Sequence, residues 1–238
     1  MENDLYLSQH ISKRFNQELE EVRNQVLTMG GLVEQQVADG LVSLLEGDEV
    51  IADKVIEKDT LVNKMEVEID ETCTEILARR QPAASDLRLM ISIIKTITDL
   101  ERIGDEAEKL GVNAKDLAGL DGGAREFTEL RHLGEGVKKM LNRSLNAYAR
   151  MDVDEALNII QSDKEINKEF DNVSRLLVIK MMEDPREIKY ALRVSWCARA
   201  LERIGDHTKN ICEYIVYLVK GKDVRHTSLD KIKKQISS

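Results

Sequence analysis

A chain of 238 residues with 42% hydrophobic side chains can bury a sizeable core, and its low aromatic content (4%), sparse glycine and two prolines point away from a many-turned β protein and toward long helices. A formal net charge of −9 without a strong basic stripe makes nucleic acid a poor candidate partner. The three cysteines, Cys73, Cys197 and Cys212, form no CxxC, the opening MENDLYLSQH is too polar for a secretory leader, and no apolar run reaches the roughly 18 residues of a membrane span, so a soluble cytoplasmic protein is expected.

Apolar residues recur at three- and four-residue spacing and predict an all-α chain. Val22, Val26, Met29, Val33 and Val37 mark a first helix, which the turn string EGDE (46–49) ends. Val55, Ile56, Val62, Met65 and Ile69 mark a second, which ends before Pro82, because proline stops a helix and is tolerated only in the first turn of the next. Leu89, Ile93, Ile97, Leu100, Ile103, Ala107 and Leu110 mark a third, closed by GLDGG (119–123). The remainder repeats this plan: ARMD (149–152) stands where EGDE stood, and EDPRE, with the second proline, Pro185, stands where Pro82 stood. Short connections make neighbouring helices antiparallel. The expected architecture is two tandem, similar three-helix bundles, at 1–118 and 122–222, with a polar tail at 223–238 whose basic residues read as solvated.

The repeat is sharpest in the hexapeptide LERIGD, which occurs at 100–105 and again at 201–206. Upstream, VIEKDTLVNK (55–64) matches IIQSDKEINK (159–168), pairing Asp59 with Asp163 and Asn63 with Asn167. On a helix, Glu101 and Asp105 share one face, as do Glu202 and Asp206. Leu87 and Ile94 lie on the same face as the first pair, and Ile188 on that of the second, which suggests a stripe facing other helices rather than water. Folding each hairpin about its proline sets Glu101 level with Asn63 and Asp105 with Asp59, and likewise Glu202 with Asn167 and Asp206 with Asp163. Gly104 and Gly205 sit beside the carboxylates, where glycine costs a helix about 1 kcal/mol, and either an approaching ligand or close helix packing would explain them.

Clustered carboxylates raise one another's pKa unless a cation neutralises them. An all-oxygen set of Asp59, Asn63, Glu101 and Asp105, with Asp163, Asn167, Glu202 and Asp206 in the second half, suits hard or borderline metals such as Mg, Ca, Mn or Fe. Arg102 and Arg203 offer the alternative of plain surface ion pairs. A di-iron oxygenase would need two inward Glu-x-x-His pairs, and the single string Glu129–His132 lies outside the stripe. His207 answers to Glu106 in the other half and reads as a surface residue. No Gly-rich phosphate loop or nucleophile constellation is present in the sequence, and nothing in it demands catalysis.

The doubled LERIGD, the opening HISKRFNQELEEVRNQVLTMGGLVEQQV, the stretch RRQPAASDLRLMISIIKTITDLERIGD and the late ICEYIVYLVKGKDVRH together resemble the PhoU family, almost end to end. That resemblance implies two three-helix bundles, each with a Glu/Asp-x-x-x-Asp motif associated with surface metal ions, here Glu101/Asp105 and Glu202/Asp206. It implies a non-enzymatic, often dimeric negative regulator of the phosphate-starvation response. Such a regulator links the phosphate transporter's ATPase (PstB) to the sensor kinase (PhoR), restrains phosphate uptake, and meets the membrane only through those partners. Iron, manganese, magnesium, calcium and zinc are the candidate ions. Two other functions stay open: a metal-dependent phosphoester hydrolase, and a helical scaffold whose repeated acids are a solvated face.

Overall fold

The computed structural model describes residues 13–80, 82, 84–120, 128–225 and 227. Most of the predicted polar tail, the end of GLDGG and the side chain of Glu129 lie outside the described residues. Six long helices follow one another: α1 (Lys13–Glu46), α2 (Glu49–Arg80), α3 (Ala84–Ala118), α4 (Thr128–Arg150), α5 (Val153–Glu183) and α6 (Ile188–Lys220). There is no strand among the described residues.

The breaks have local causes. Gly47, at φ 70°, takes the left-handed conformation that ends α1, and the Asp48 carboxylate accepts hydrogen bonds from Val50 N and Ile51 N to start α2. The second half solves the same problem with Met151 at φ 52° and Asp152, whose carboxylate accepts from Glu155 N. Asp184 turns the α5–α6 corner by accepting from Arg186 N, with Pro185 opening a single 3-10 turn. Gly221, at φ 67°, closes α6.

The helices form two three-helix bundles, α1–α3 and α4–α6, as the sequence predicts. Every core position named for the first three helices is buried apart from Ile56 and Met65, which are partly covered. The third helices, α3 and α6, also pack on each other, so that one continuous apolar core runs through both bundles. Their contacts run in opposite senses: Asp116 pairs with Arg193 at 2.7 Å, Glu106 with Arg203 at 3.1 Å, and Asp99 with His207 at 2.7 Å. This antiparallel seam brings the two LERIGD segments to the same level, each turned toward its own hairpin partner, α2 or α5.

Two expectations need correction. The stripe upstream of the motifs faces other helices only at Ile94, which packs partly buried against the core, while Leu87 is 40% exposed and Ile188 42%. Ile188, Leu192 and the sole tryptophan, Trp196, recur at four-residue steps on one exposed face of α6 instead. Nor is His207 a surface residue. Its Nδ1 lies against Asp99 Oδ1, which also accepts from Asn210 Nδ2 at 3.1 Å. Its counterpart Glu106, only 3% exposed, bridges to Arg203 across the seam.

Candidate metal sites on the two hairpins

Each hairpin brings its four predicted residues together. On the first, α2 presents Asp59 and Asn63, whose Nδ2 donates to Asp59 Oδ2 at 2.9 Å. Facing them from α3 are Glu101 and Asp105. Burial raises the Asp59 pKa above its ordinary value, and the Asp105 charge raises it further. Glu101 is raised by burial and then by Asp105 and Glu66. On the second hairpin, Asn167 Nδ2 reaches Asp163 Oδ2 at 3.5 Å. Glu202 is raised by burial and by Asp206, and Asp206 by burial and by Asp163. Crowded, half-desolvated carboxylates with raised proton affinity are groups short of a cation.

Several oxygens at these positions have no hydrogen-bond donor: Oδ1 of Asp59, Asn63, Asp163 and Asn167, and Oε2 of Glu202. Asp59 is only 7% exposed. A buried acceptor left unpaired costs about 1–3 kcal/mol, so its retention calls for a partner. Oxygen-only donors of this kind fit a hard or borderline divalent cation. Among the described residues, no three His, Cys, Asp or Glu side chains stand together as a closed ligand set for one ion. The donors form open strips along each hairpin rather than a cage.

Arg102 takes up part of the alternative role of surface ion pairing, at 3.5 Å from Glu101 and 3.7 Å from Asp105. Arg203 does not: it turns to Glu106 across the seam. Sequence reasoning missed Glu66 and Glu108, which lie one turn beyond Asn63 and Asp105 on the same faces. Burial, then Asp59 and Asp105, raise the Glu108 pKa. The three-residue step on a helix face is the signal that marks both. It also missed Gln36 of α1, wholly buried, whose Nε2 donates to Val55 O at 3.1 Å while its Oε1 has no donor. Nothing in the repeat announces a contribution from the first helix.

The two glycines separate at this level. A Cβ on Gly104 would stand 3.2 Å from both Gln36 Oε1 and Val62 Cγ1 and 3.4 Å from Asp59 Oδ1. One on Gly205 would meet Ile166, with Cγ2 at 3.2 Å. Close packing on the hairpin partner thus accounts for both, and at Gly104 the approach also leaves room beside the site's oxygens. Gly104→Val should destabilise the protein by about 1–3 kcal/mol in urea titrations, because branched methyls have no space there. Gly205→Ala should stay within about 1 kcal/mol of wild type, since helix propensity offsets a small shift of Ile166.

Comparison with known proteins agrees with this duplicated architecture. The PhoU domain model matches twice, at residues 26–113 and 130–215. A phosphate-specific transport system accessory protein PhoU homolog from Pseudomonas aeruginosa is 50% identical over 232 residues, covering 98% of this chain and 96% of its own. The phosphate-specific transport system accessory protein PhoU of Escherichia coli K12 is 47% identical over 235 residues, covering 99% and 97%. The crystal structure of PhoU from Pseudomonas aeruginosa superposes with a TM-score of 0.85 at 51% identity, covering 87% of this chain and all of that one (100%). The phosphate transport system regulatory protein PhoU from Streptococcus pneumoniae superposes at 0.81 with 31% identity, covering 88% and 99%.

Proposed function

The chain belongs to the PhoU family, and on that premise we propose that it is a cytoplasmic, metal-binding regulatory adaptor of phosphate transport that represses the phosphate-starvation response. It works as a homodimer that connects the transporter ATPase (PstB) to the sensor histidine kinase (PhoR), and it restrains phosphate uptake without catalysing a reaction of its own. No helix among the described residues is long and apolar enough to cross a membrane, so contact with the transporter would pass through its cytoplasmic subunit.

The observation that carries the metal part is the pair of carboxylate strips with buried, donorless oxygens. Glu101, Asp105, Asp59 and Asn63 would hold cations on the first hairpin, and Glu202, Asp206, Asp163 and Asn167 on the second. A bound iron, manganese, magnesium, calcium or zinc ion would supply positive charge that relieves the repulsion on each face. A hydrolase would also need a general base poised beside a substrate pocket. The carboxylates here are half-buried along two helix hairpins, with Asp59 and Asp163 buried outright.

The adaptor reading is tested in cells. Deleting the gene should leave a phosphate-starvation reporter on at high phosphate, and the wild-type gene supplied in trans should switch it off. A reporter that stays silent in the deletion strain at high phosphate would overturn the regulatory role.

A further inference from the structure

Three apolar side chains of α6, Ile188, Leu192 and Trp196, stand at successive four-residue steps and are 42%, 43% and 51% exposed. The internal repeat shows that the fold does not require the tryptophan, since α3 holds the matching positions as Leu87, Ile91 and Lys95. Lys95 serves its own fold: its ammonium lies over the rings of Tyr214 and Tyr217, 5.6 and 5.7 Å from their centres, across the seam. Trp196, at the same place in the second half, instead carries the Arg193 guanidinium over its ring at 4.6 Å and leaves half its surface to water. An aromatic ring steadied by arginine and left half wet is the residue type that anchors protein interfaces.

The flanks of the row are basic. Between Ile188 and Arg203, α6 carries Lys189, Arg193, Arg199 and Arg203 against the single carboxylate Glu202, in a chain whose net charge is −9. The repeat again marks the difference, because Arg193 and Arg199 stand where α3 has Ser92 and Thr98. Lys189 and Arg193 each follow a row residue by one position and Arg199 follows by three, which puts them on opposite sides of the row at 100° per residue. The arginines are held in place: Arg193 pairs with Asp116 at 2.7 Å, Arg199 with Glu202 at 2.9 Å and Arg203 with Glu106 at 3.1 Å. A guanidinium has five N–H donors, so such anchoring positions the fork without exhausting it.

We propose that this face of α6 is a docking surface for a partner protein, and that the docking element is an amphipathic helix whose apolar row is edged by Asp and Glu. A row at four-residue steps is the ridge along which a second helix packs, and from Ile188 to Trp196 it rises about 12 Å, a little over two turns. The partner's carboxylates fall to the lysine and arginines on either side. A second copy of this chain fits less well, since a two-fold contact through the row would set the arginines of one copy against those of the other. The assignment rests on the reading of the chain as an adaptor and goes beyond it by naming the surface that holds one partner.

The test places a photoreactive p-benzoylphenylalanine at Leu192 of the full chain, in cells grown at high phosphate, and identifies by mass spectrometry what it captures on illumination. The captured segment should belong to another protein and carry apolar residues at three- and four-residue spacing with Asp or Glu beside them. Capture should fall roughly tenfold in Lys189→Glu/Arg199→Glu, which reverses the charge on both flanks. Leu192→Glu/Trp196→Glu should melt within about 2 °C of wild type, as exposed substitutions do, yet fail to silence the phosphate-starvation reporter. Vesicles of phosphatidylglycerol should leave the emission of Trp196, the sole tryptophan, unshifted. Capture of a second copy, of lipid, of a segment without acidic flanks or of nothing would overturn the docking surface. So would a blue shift on vesicles, or a reporter that Leu192→Glu/Trp196→Glu silences as well as wild type does. A deletion strain whose reporter is silent at high phosphate would instead overturn the adaptor reading, whatever Leu192 captures.

Discussion

Glu101→Gln/Asp105→Asn/Glu202→Gln/Asp206→Asn should purify without metal and yet melt higher than metal-free wild type at neutral pH. The first outcome follows from removing the anionic donors. The second follows from their raised proton affinities. Glu101, Glu202 and Asp206 are each pushed up by burial and by neighbouring carboxylates, so the folded chain holds their charge at a cost. Each amide removes that charge and supplies an N–H₂ that can donate to the donorless Oδ1 of Asp59 or Asp163. Part of the gain is offset because Glu202 forfeits its contact with Arg199 and Glu101 its contact with Arg102. Each kcal/mol relieved raises Tm by about 2–4 °C in a chain of this size.

The pH dependence has a fixed sign. A carboxylate whose folded-state pKa is raised binds its proton more readily in the folded than in the unfolded chain, so wild-type stability at these sites increases as pH falls. The amide variant's advantage is full above the raised folded-state values, shrinks through them, and vanishes below the ordinary carboxylate values of 3.8 and 4.5. Thermal melts of both proteins across that window, in chelator, read the difference directly. A variant that retains its metal would remove the motif from the ligand set. One that melts lower at neutral pH would mean that the carboxylates stabilise the metal-free fold.

Tyr148→Ala should destabilise the protein by about 3–5 kcal/mol, the range for deleting a large buried ring, whereas Tyr148→Phe should be neutral or slightly stabilising. Tyr148 is among the largest fully buried side chains and sits near the end of α4, beside α1, where Arg23 donates from Nη2 to Ala149 O. The ring therefore helps join the bundles through their first helices, as α3 and α6 do through their third. Its hydroxyl has no hydrogen-bond partner, and burial holds its pKa well above the usual phenol value. Removing the ring opens a cavity at this junction, while removing only the oxygen spares a desolvated polar group. Urea unfolding of the two variants separates these effects. A Phe variant that loses as much as the Ala variant would mean that the hydroxyl, not the ring, carries the junction.

The helices, their ends and the pairing of the hairpins were legible because each depends on local rules. Three- and four-residue apolar spacing sets the core faces of α1 to α3, Asp48 and Asp152 cap helices in their own neighbourhood, and the two prolines fix where each hairpin turns. Counting outward from those turns was enough to place Asp59 opposite Asp105, since both helices rise by the same amount per residue. The repeat then placed the same four residues together twice, and the resemblance carried by its strings led to the family.

What the sequence by itself could not decide was which differences within the repeat matter. His207 for Glu106 reads as a surface change, but the antiparallel seam of α3 and α6 turns these two residues into cross-bundle contacts with Asp99 and Arg203. Lys209 for Glu108 reads as drift between repeats, yet the hairpin sets that ammonium on Asp163 and lowers the excess of negative charge on one face. Gln36 joins the first site from a helix with no motif at all. Local sequence determined the helices and the repeated acids because neighbours on one chain set both. The partners of each charge were decided only in the tertiary structure, because a side chain's electrostatic neighbours come from whichever helices pack beside it, and that packing depends on the whole core.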